Sequence, residues 1–400
     1  MFPLAQSSQQ QQYVHVPTSD ALRDPDFADE RLPKVVPRRA WSTYVRVIGL
    51  LCAAVLGVSV VFALGYTSGH HWRAELSPAG TPVDASGGCK EPYFRREWRS
   101  LSKQEKRDYI DAFQCFIDSP SVMGLNGSLY NDFSWVHNLV AHSTHTKAPF
   151  LTWHRRFIFV YETYLRKSCG YKGALPFWDW SLDWDDITNS PIFDGKLGFG
   201  GDGDPKAPEH QSAHCVTDLP FKNLRPQWYG SMYDPHCLAR SFNEDWYAHY
   251  MNPEALEKVM AATSYEDFFL ALEMGPHDII PLGIGGDFTS FTAPNGTLSS
   301  GSAPSYPVFF RLSSRKVCLA DVLMKPDPIF YLHHAQLDRV WWLWQMRDKK
   351  NRVHDYGGTG DRGNVSLADI LPLAGLEKDV AVTDIMDTER GEMCYRYMYS

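Results

Sequence analysis

The fifteen histidines of this 400-residue chain are unevenly spread, and three groups of them constrain it more than any other feature. The first group is His137, His142, His145 and His154, the last within Ala148-Pro-Phe-Leu-Thr-Trp-His154-Arg-Arg-Phe157. The second is Gly275-Pro-His277-Asp278, followed by Ile284-Gly-Gly-Asp287. The third is Asp327-Pro-Ile-Phe-Tyr-Leu-His333-His334-Ala-Gln-Leu-Asp338-Arg339. A lone histidine is ordinarily a satisfied structural side chain. Imidazole, however, suits copper, zinc, iron and nickel. Three groups flanked by aromatic, helix-patterned segments therefore point to a metal site assembled from distant parts of the chain. Such a site needs a fold that turns helix faces toward one another.

The apolar periodicity predicts helices over Lys103–Ile117, Trp153–Cys169, Ala255–Ala262, Tyr265–Leu272 and Leu332–Asp348. Between them lie long stretches heavy in Gly, Pro and Asp, notably 185–235 and 282–307, with little strand-like alternation. The expected fold is mainly α, a helical core with long loops. A 44% apolar and 14% aromatic composition supplies enough material for that core. The net charge of −8 comes from interleaved acidic and basic residues, with no basic face of the kind nucleic acid requires.

The N-terminal part is different material. Residues 1–46 mix Gln, Pro, Asp and Arg without apolar periodicity and read as a disordered tail. From Val47 to Leu64 no residue is charged, and 47–66 has the length of about 20 residues that a membrane-crossing helix needs. Arg38, Arg39 and Arg46 precede this stretch, whereas Arg73 alone follows closely, which places the tail in the cytosol and the rest in the lumen or outside the cell. Residues 67–88, rich in Gly, Ser, Pro and Ala, read as a stalk leading to a single domain over 89–400. Three glycosylation acceptors agree with that orientation, at Asn126, Asn295 and Asn364. So do seven cysteines beyond the stretch, an odd number whose pairing the spacing does not reveal.

Two segments carry a family resemblance. His145-x8-His154-Arg-Arg with Leu175-Pro-Phe-Trp-Asp-Trp180 resembles the first copper motif of tyrosinases, catechol oxidases and hemocyanins. Asp327-Pro-x-Phe-x-x-His-His-x-x-x-Asp-Arg339 resembles the second. Arg96-Glu97-Trp98 and Tyr395-Arg-Tyr397 look like the motifs bounding that family's central domain, and the likeness is closest to short fungal tyrosinase-like proteins. The resemblance implies two copper ions, with His137, His145 and His154 on the first, and His277 and His334 on the second. The His137-Asn138 pair favours His137 over His142. His333 would be a packing or hydrogen-bonding neighbour, and Asp338, one turn after His334, would accept a proton from a ligand's other ring nitrogen. Glu273 matches the family's water-holding glutamate, and Asp278 stands where the family often has Asn. As a pair they would accept a phenol proton, although capping or solvating a helix is an equal reading. Ser143 replaces a cysteine that forms a thioether in some members. The chain stops soon after Tyr397, so no shielding domain and no latent form are expected.

One position departs from the pattern. The family has His-x3-His before Ile-Gly-Gly-Asp, because imidazoles at i and i+4 on a helix reach one metal. Four residues after His277 stands Pro281, which has no ligand atom. Three outcomes stay open. Another histidine fills the vacancy, from the His210-x3-His214 pair or from His333; the second copper is held differently; or it is lost. The resemblance implies an oxidase that uses dioxygen to hydroxylate phenols or oxidise catechols, on a small phenolic molecule or a tyrosine-containing peptide, in fungal natural-product biosynthesis. The rival reading is a membrane-anchored scaffold or binding protein with a degenerate second copper site.

Overall fold

The computed structural model describes residues 88–210, 213–229, 232–243, 251–288 and 327–399. Helix α1 (Lys103–Asp118) begins at a reciprocal cap, in which Glu105 N–H donates to Ser102 Oγ and Ser102 N–H donates to Glu105 Oε2. Helix α2 (Leu129–Thr144) follows. Helix α3 (Pro149–Cys169) opens on a proline, whose missing N–H is harmless in a first turn. It closes on Gly170 at φ 69°, a left-handed conformation that glycine adopts without a Cβ clash. Helices α4 (Pro253–Met260) and α5 (Tyr265–Leu272) lead into a π turn, Glu273–His277, and then helix α6 (Asp278–Ile284). Helix α7 (Phe330–Arg347) completes the set discussed below.

The core lies where α3 meets α1, α2 and α7. Fifteen residues of α3 are buried, so it presents no solvated face and must be the central helix. Aromatic side chains join the helices: Tyr161 stacks on Tyr331 at 3.7 Å, Phe116 meets Tyr161 at 5.1 Å and Phe133 meets Phe157 at 5.2 Å. A disulfide, Cys115–Cys169, ties the ends of α1 and α3. Strands are two or three residues long. The most telling pair is parallel, Tyr93–Arg95 against Tyr395–Tyr397, and brings the two bounding motifs together beside the Cys89–Cys394 disulfide.

All five expected helices are present, four with boundaries shifted by up to four residues and Tyr265–Leu272 unchanged. Helix α2 was not anticipated. It buries Asn131, Asp132, Ser134 and His137 together with most of its apolar residues while Leu139 is exposed, so its sequence lacks the apolar-against-polar contrast that periodicity detects. Three disulfides account for six cysteines, the third being Cys215–Cys237, while Cys318 lies outside the described residues. No helix among the described residues is long and apolar enough to cross a membrane. The tail, the span expected at 47–66, most of the stalk and Asn295 lie outside them, while Asn126 and Asn364 are exposed.

One carboxylate joins the helical core to both ends of the domain. Asp338 on α7 accepts Arg155 Nε at 2.5 Å, Arg95 at 3.2 Å, and the hydroxyls of Tyr395 and Tyr397, each at 2.6 Å. All five side chains are buried. Burial alone would raise the carboxyl, but Arg155, Arg95 and the two hydroxyls outweigh it and hold Asp338 below the usual aspartate range. Its stabilising contribution is therefore present above the unfolded value of about 3.9, and disappears as pH falls through the lower folded value. Asp338→Asn leaves buried Arg155 without its carboxylate partner, while Arg95 keeps Glu162, and is expected to cost about 3–5 kcal/mol. Chemical denaturation at neutral pH measures that loss. A variant as stable as the parent would show that this network is not what holds α7 to the ends of the domain.

Candidate metal centre

His137, from the middle of α2, His145, at its C-terminal cap, and His154, on α3, are all buried. One ring nitrogen of each lies within 4.8 Å of the others. Hydrogen bonds fix the tautomers of two of them. His145 Nδ1–H donates to the Ala141 carbonyl at 3.0 Å and His154 Nδ1–H to the Phe150 carbonyl at 2.7 Å, each a residue four positions back. Both therefore present an Nε2 lone pair, as a metal-binding histidine does when its other nitrogen is tied to a carbonyl. His137 Nε2 and His154 Nε2 stand 2.9 Å apart. Burial, then the neighbouring imidazoles, hold His137 and His154 well below the usual histidine range; burial and His277 push His145 down to about 3. Three neutral imidazoles with converging lone pairs suit a metal ion, which would remove the repulsion between them.

Two further imidazoles adjoin this set. His334 on α7 stacks on His154, with centroids 4.4 Å apart and planes 11° apart. His277 lies 5.4 Å from His145 and 5.3 Å from His334. Apolar rings wall the cluster: Phe150 is 4.8 Å from His277, Phe330 is 4.1 Å from His334 and Trp153 is 5.5 Å from His137. Helical backbone continues from His277 through Pro281, so the proline occupies the i+4 position of a real helix. The second half of the centre thus offers His277 and His334 without the third imidazole of the first half.

Glu273 links the two halves. Its Oε1 accepts the backbone N–H of Thr146 at 2.7 Å, next to His145, while its own π turn leads to His277. Thr146 has φ 55°, a left-handed conformation unfavourable for a β-branched residue, and this hydrogen bond helps to hold it there. Glu273 Oε2 is buried without a hydrogen-bond partner among the described residues. Burial, and then the charge of Asp278, push the Glu273 carboxyl well above the usual glutamate range. Asp278 Oδ1 faces His277 Nδ1 at 3.1 Å, so it orients that ring.

Several expectations change. Asp338 accepts no proton from an imidazole, because two arginines and two tyrosines take its oxygens. His333 packs 5.6 Å from Phe288 and 5.9 Å from His277, with both ring nitrogens buried and unbonded. It adjoins His334 on α7, and successive helix residues point about 100° apart, so the two rings, 5.3 Å apart, face different directions. His142 is exposed and takes no place in the cluster. The His210/His214 pair lies on two short antiparallel strands, where His210 faces Ala213 and His214 faces Glu209. His210 stacks on His236 instead, and His210, His236 and Asp287 form a separate group with donor atoms within 4.8 Å. Sequence reasoning missed His236. Its only signal was the neighbouring Asp234, since the Asp287 partner lies 51 residues away.

The family described as the common central domain of tyrosinase matches residues 127–347. The tyrosinase-like protein phomQ2 of Diaporthe leptostromiformis is 36% identical over 369 residues, 88% of this chain and 85% of that protein. The tyrosinase ustQ of Aspergillus flavus is 37% identical over 318 residues, covering 77% of this chain and 80% of its own length. The N-acetyl-6-hydroxytryptophan oxidase ivoB of Emericella nidulans is 29% identical over 357 residues, 76% of this chain and 91% of that one. A polyphenol oxidase variant from Thermothelomyces thermophila has the same fold, with a TM-score of 0.63 at 24% identity over 83% of this chain and 94% of its own.

His154→Ala removes an imidazole at the junction of the two halves, and is expected to lower retained copper by at least tenfold. His142→Ala is expected to leave it unchanged. Elemental analysis of the purified variants reads both. Equal copper in the two would place the metal elsewhere.

Proposed function

This chain belongs to the tyrosinase family of copper oxidases, and from that premise we propose that it oxidises a phenol or catechol with dioxygen in fungal natural-product biosynthesis. A tyrosine-containing peptide is included among the substrates. The observation that carries this reading is the convergence of His137, His145, His154, His277 and His334 in one aromatic-walled cluster. A binding protein without redox chemistry would have no need of it. The expected span at 47–66 anchors the chain and leaves its oxidase domain in the lumen or outside the cell, a setting in which three disulfides persist.

Copper, when bound, supplies the redox chemistry: it activates dioxygen for hydroxylation of a phenol or for oxidation of a catechol to an o-quinone. The carbonyls of Ala141 and Phe150 hold His145 and His154 in the ligating tautomer. Phe150, Phe330 and Trp153 keep water from the imidazoles. The buried, unbonded Oε2 of Glu273 supports a role for this carboxylate as acceptor of the substrate hydroxyl proton, directly or through one water. Burial and the charge of Asp278 raise the proton affinity of this carboxylate.

Oxygen uptake by the copper-loaded full-length chain, with a monophenol and with a catechol, tests the proposal. No uptake from either at saturating copper would overturn it. Glu273→Gln is expected to lower kcat by about 10²–10⁴-fold while copper is retained, the range for loss of a general base. Pro281→His restores the i, i+4 pair, and copper per chain is expected to rise, read by elemental analysis. An unchanged copper content would show that Pro281 does not limit copper binding.

A further inference from the structure

Outside the five-imidazole cluster, His236 is buried with both ring nitrogens facing acceptors. Nδ1 is 2.5 Å from the Asp234 carbonyl, and Nε2 is 2.9 Å from Asp287 Oδ1. A neutral imidazole carries one N–H and cannot satisfy both. His236 therefore meets Asp287 either as an imidazolium or, with Nδ1–H on the Asp234 carbonyl, through a metal ion that both bind. His210 lies parallel to His236, with centroids 3.8 Å apart and planes 10° apart, and its Nε2 is 3.0 Å from Asp234 Oδ2. Two protonated imidazoles in face contact repel each other. One divalent ion, bound once a ring turns out of the stack so that both lone pairs converge, would balance the two carboxylates and leave both rings neutral.

We propose that His210, His236 and Asp287 bind a divalent ion of the zinc class, with Asp234 or water as the fourth ligand, independently of copper. Their donor atoms lie within 4.8 Å of one another, and two imidazoles with a carboxylate are a set that zinc uses. Binding involves no redox change. The ion enters as M²⁺, and any protons shared between imidazole and carboxylate leave to solvent. Burial alone would lower His236, but Asp287 and the Asp234 carbonyl raise it above the usual range, and a metal ion would experience the same attraction.

The position gives the ion a structural task. Asp287 closes the turn that follows α6, and its other oxygen accepts the Ala239 N–H at 2.8 Å. That turn lies close against residues 239–241. Gly286 has φ 52°, and a Cβ there would sit 2.1 Å from the Ala239 carbonyl. Ala239 pairs with Cys215, which is disulfide-bonded to Cys237. The ion would fix one end of α6, whose other end is preceded by His277, in a helix where Pro281 supplies no ligand.

The test is zinc and copper content of the full-length chain in detergent, after equilibration with both metals and dialysis. Parent protein is expected to retain one zinc beyond its copper. His137→Ala, which disrupts the copper cluster, is expected to keep that zinc. His210→Gln, at a half-buried position where glutamine can still hydrogen-bond Asp234, is expected to bind zinc at least tenfold more weakly. Asp287→Asn provides the same readout if His210→Gln does not fold, and circular dichroism checks both. No excess zinc in the parent, full zinc in His210→Gln or Asp287→Asn, or loss of zinc in His137→Ala would each overturn the assignment.

Discussion

The Asp338 carboxylate is the interaction on which the rest of the structure depends. It sits one helical turn beyond His334 and is bonded to Arg155, the residue after His154. The two helices that bring His154 and His334 into ring contact are thus joined, a few ångströms away, by a buried ion pair. Arg95, Tyr395 and Tyr397 complete the carboxylate's partners and draw in both bounding strands. A buried charge cluster of this kind is a weak source of net stability but a strict source of geometry, because any displacement leaves charges unpaired. Arg155 adds to that strictness by lying over Trp341 at 3.6 Å and bonding the Met386 carbonyl.

The imidazoles inherit this geometry unevenly. The first three come from α2, its cap and α3, which are consecutive in the chain and share a short turn. Two of them are oriented by carbonyls of their own helix, so local backbone suffices to aim them. His277 and His334 come from segments far apart in sequence. His334 is held through Asp338, and through Asp179, which accepts both Gln336 and Arg339. His277 depends on a π turn and on Asp278. The half of the centre with the more demanding scaffold is also the half that carries Pro281. Glu273 bridges the two by bonding the strained Thr146 backbone, so the residue best placed to move a proton also fixes the turn beside His145.

Much of this was legible in the sequence because it is local. The helices α1, α3, α4, α5 and α7 announce themselves through apolar spacing. Histidines set eight and nine residues apart in aromatic segments already imply a metal site. Helix α2 was not legible, although it carries His137, since a helix with polar residues buried along its length shows no contrast between faces. Asp338 was legible as a buried acid near a ligand, yet its role was misjudged. Spacing along α7 shows that it is near His334, but not that two arginines and two tyrosines from elsewhere arrive first.

By itself, the sequence determined the helical core, the groups of histidines from which a metal site could be drawn, and the absence of a ligand at Pro281. These depend on residue type and on separations of a few positions along one helix. Only the tertiary structure decided between His142 and His137, excluded His333 and the His210/His214 pair from the centre, and placed His236 against Asp287. Each of those outcomes is a competition among side chains from distant segments for one buried space or one carboxylate. Such competitions are settled by burial and charge pairing in three dimensions, which no local spacing records.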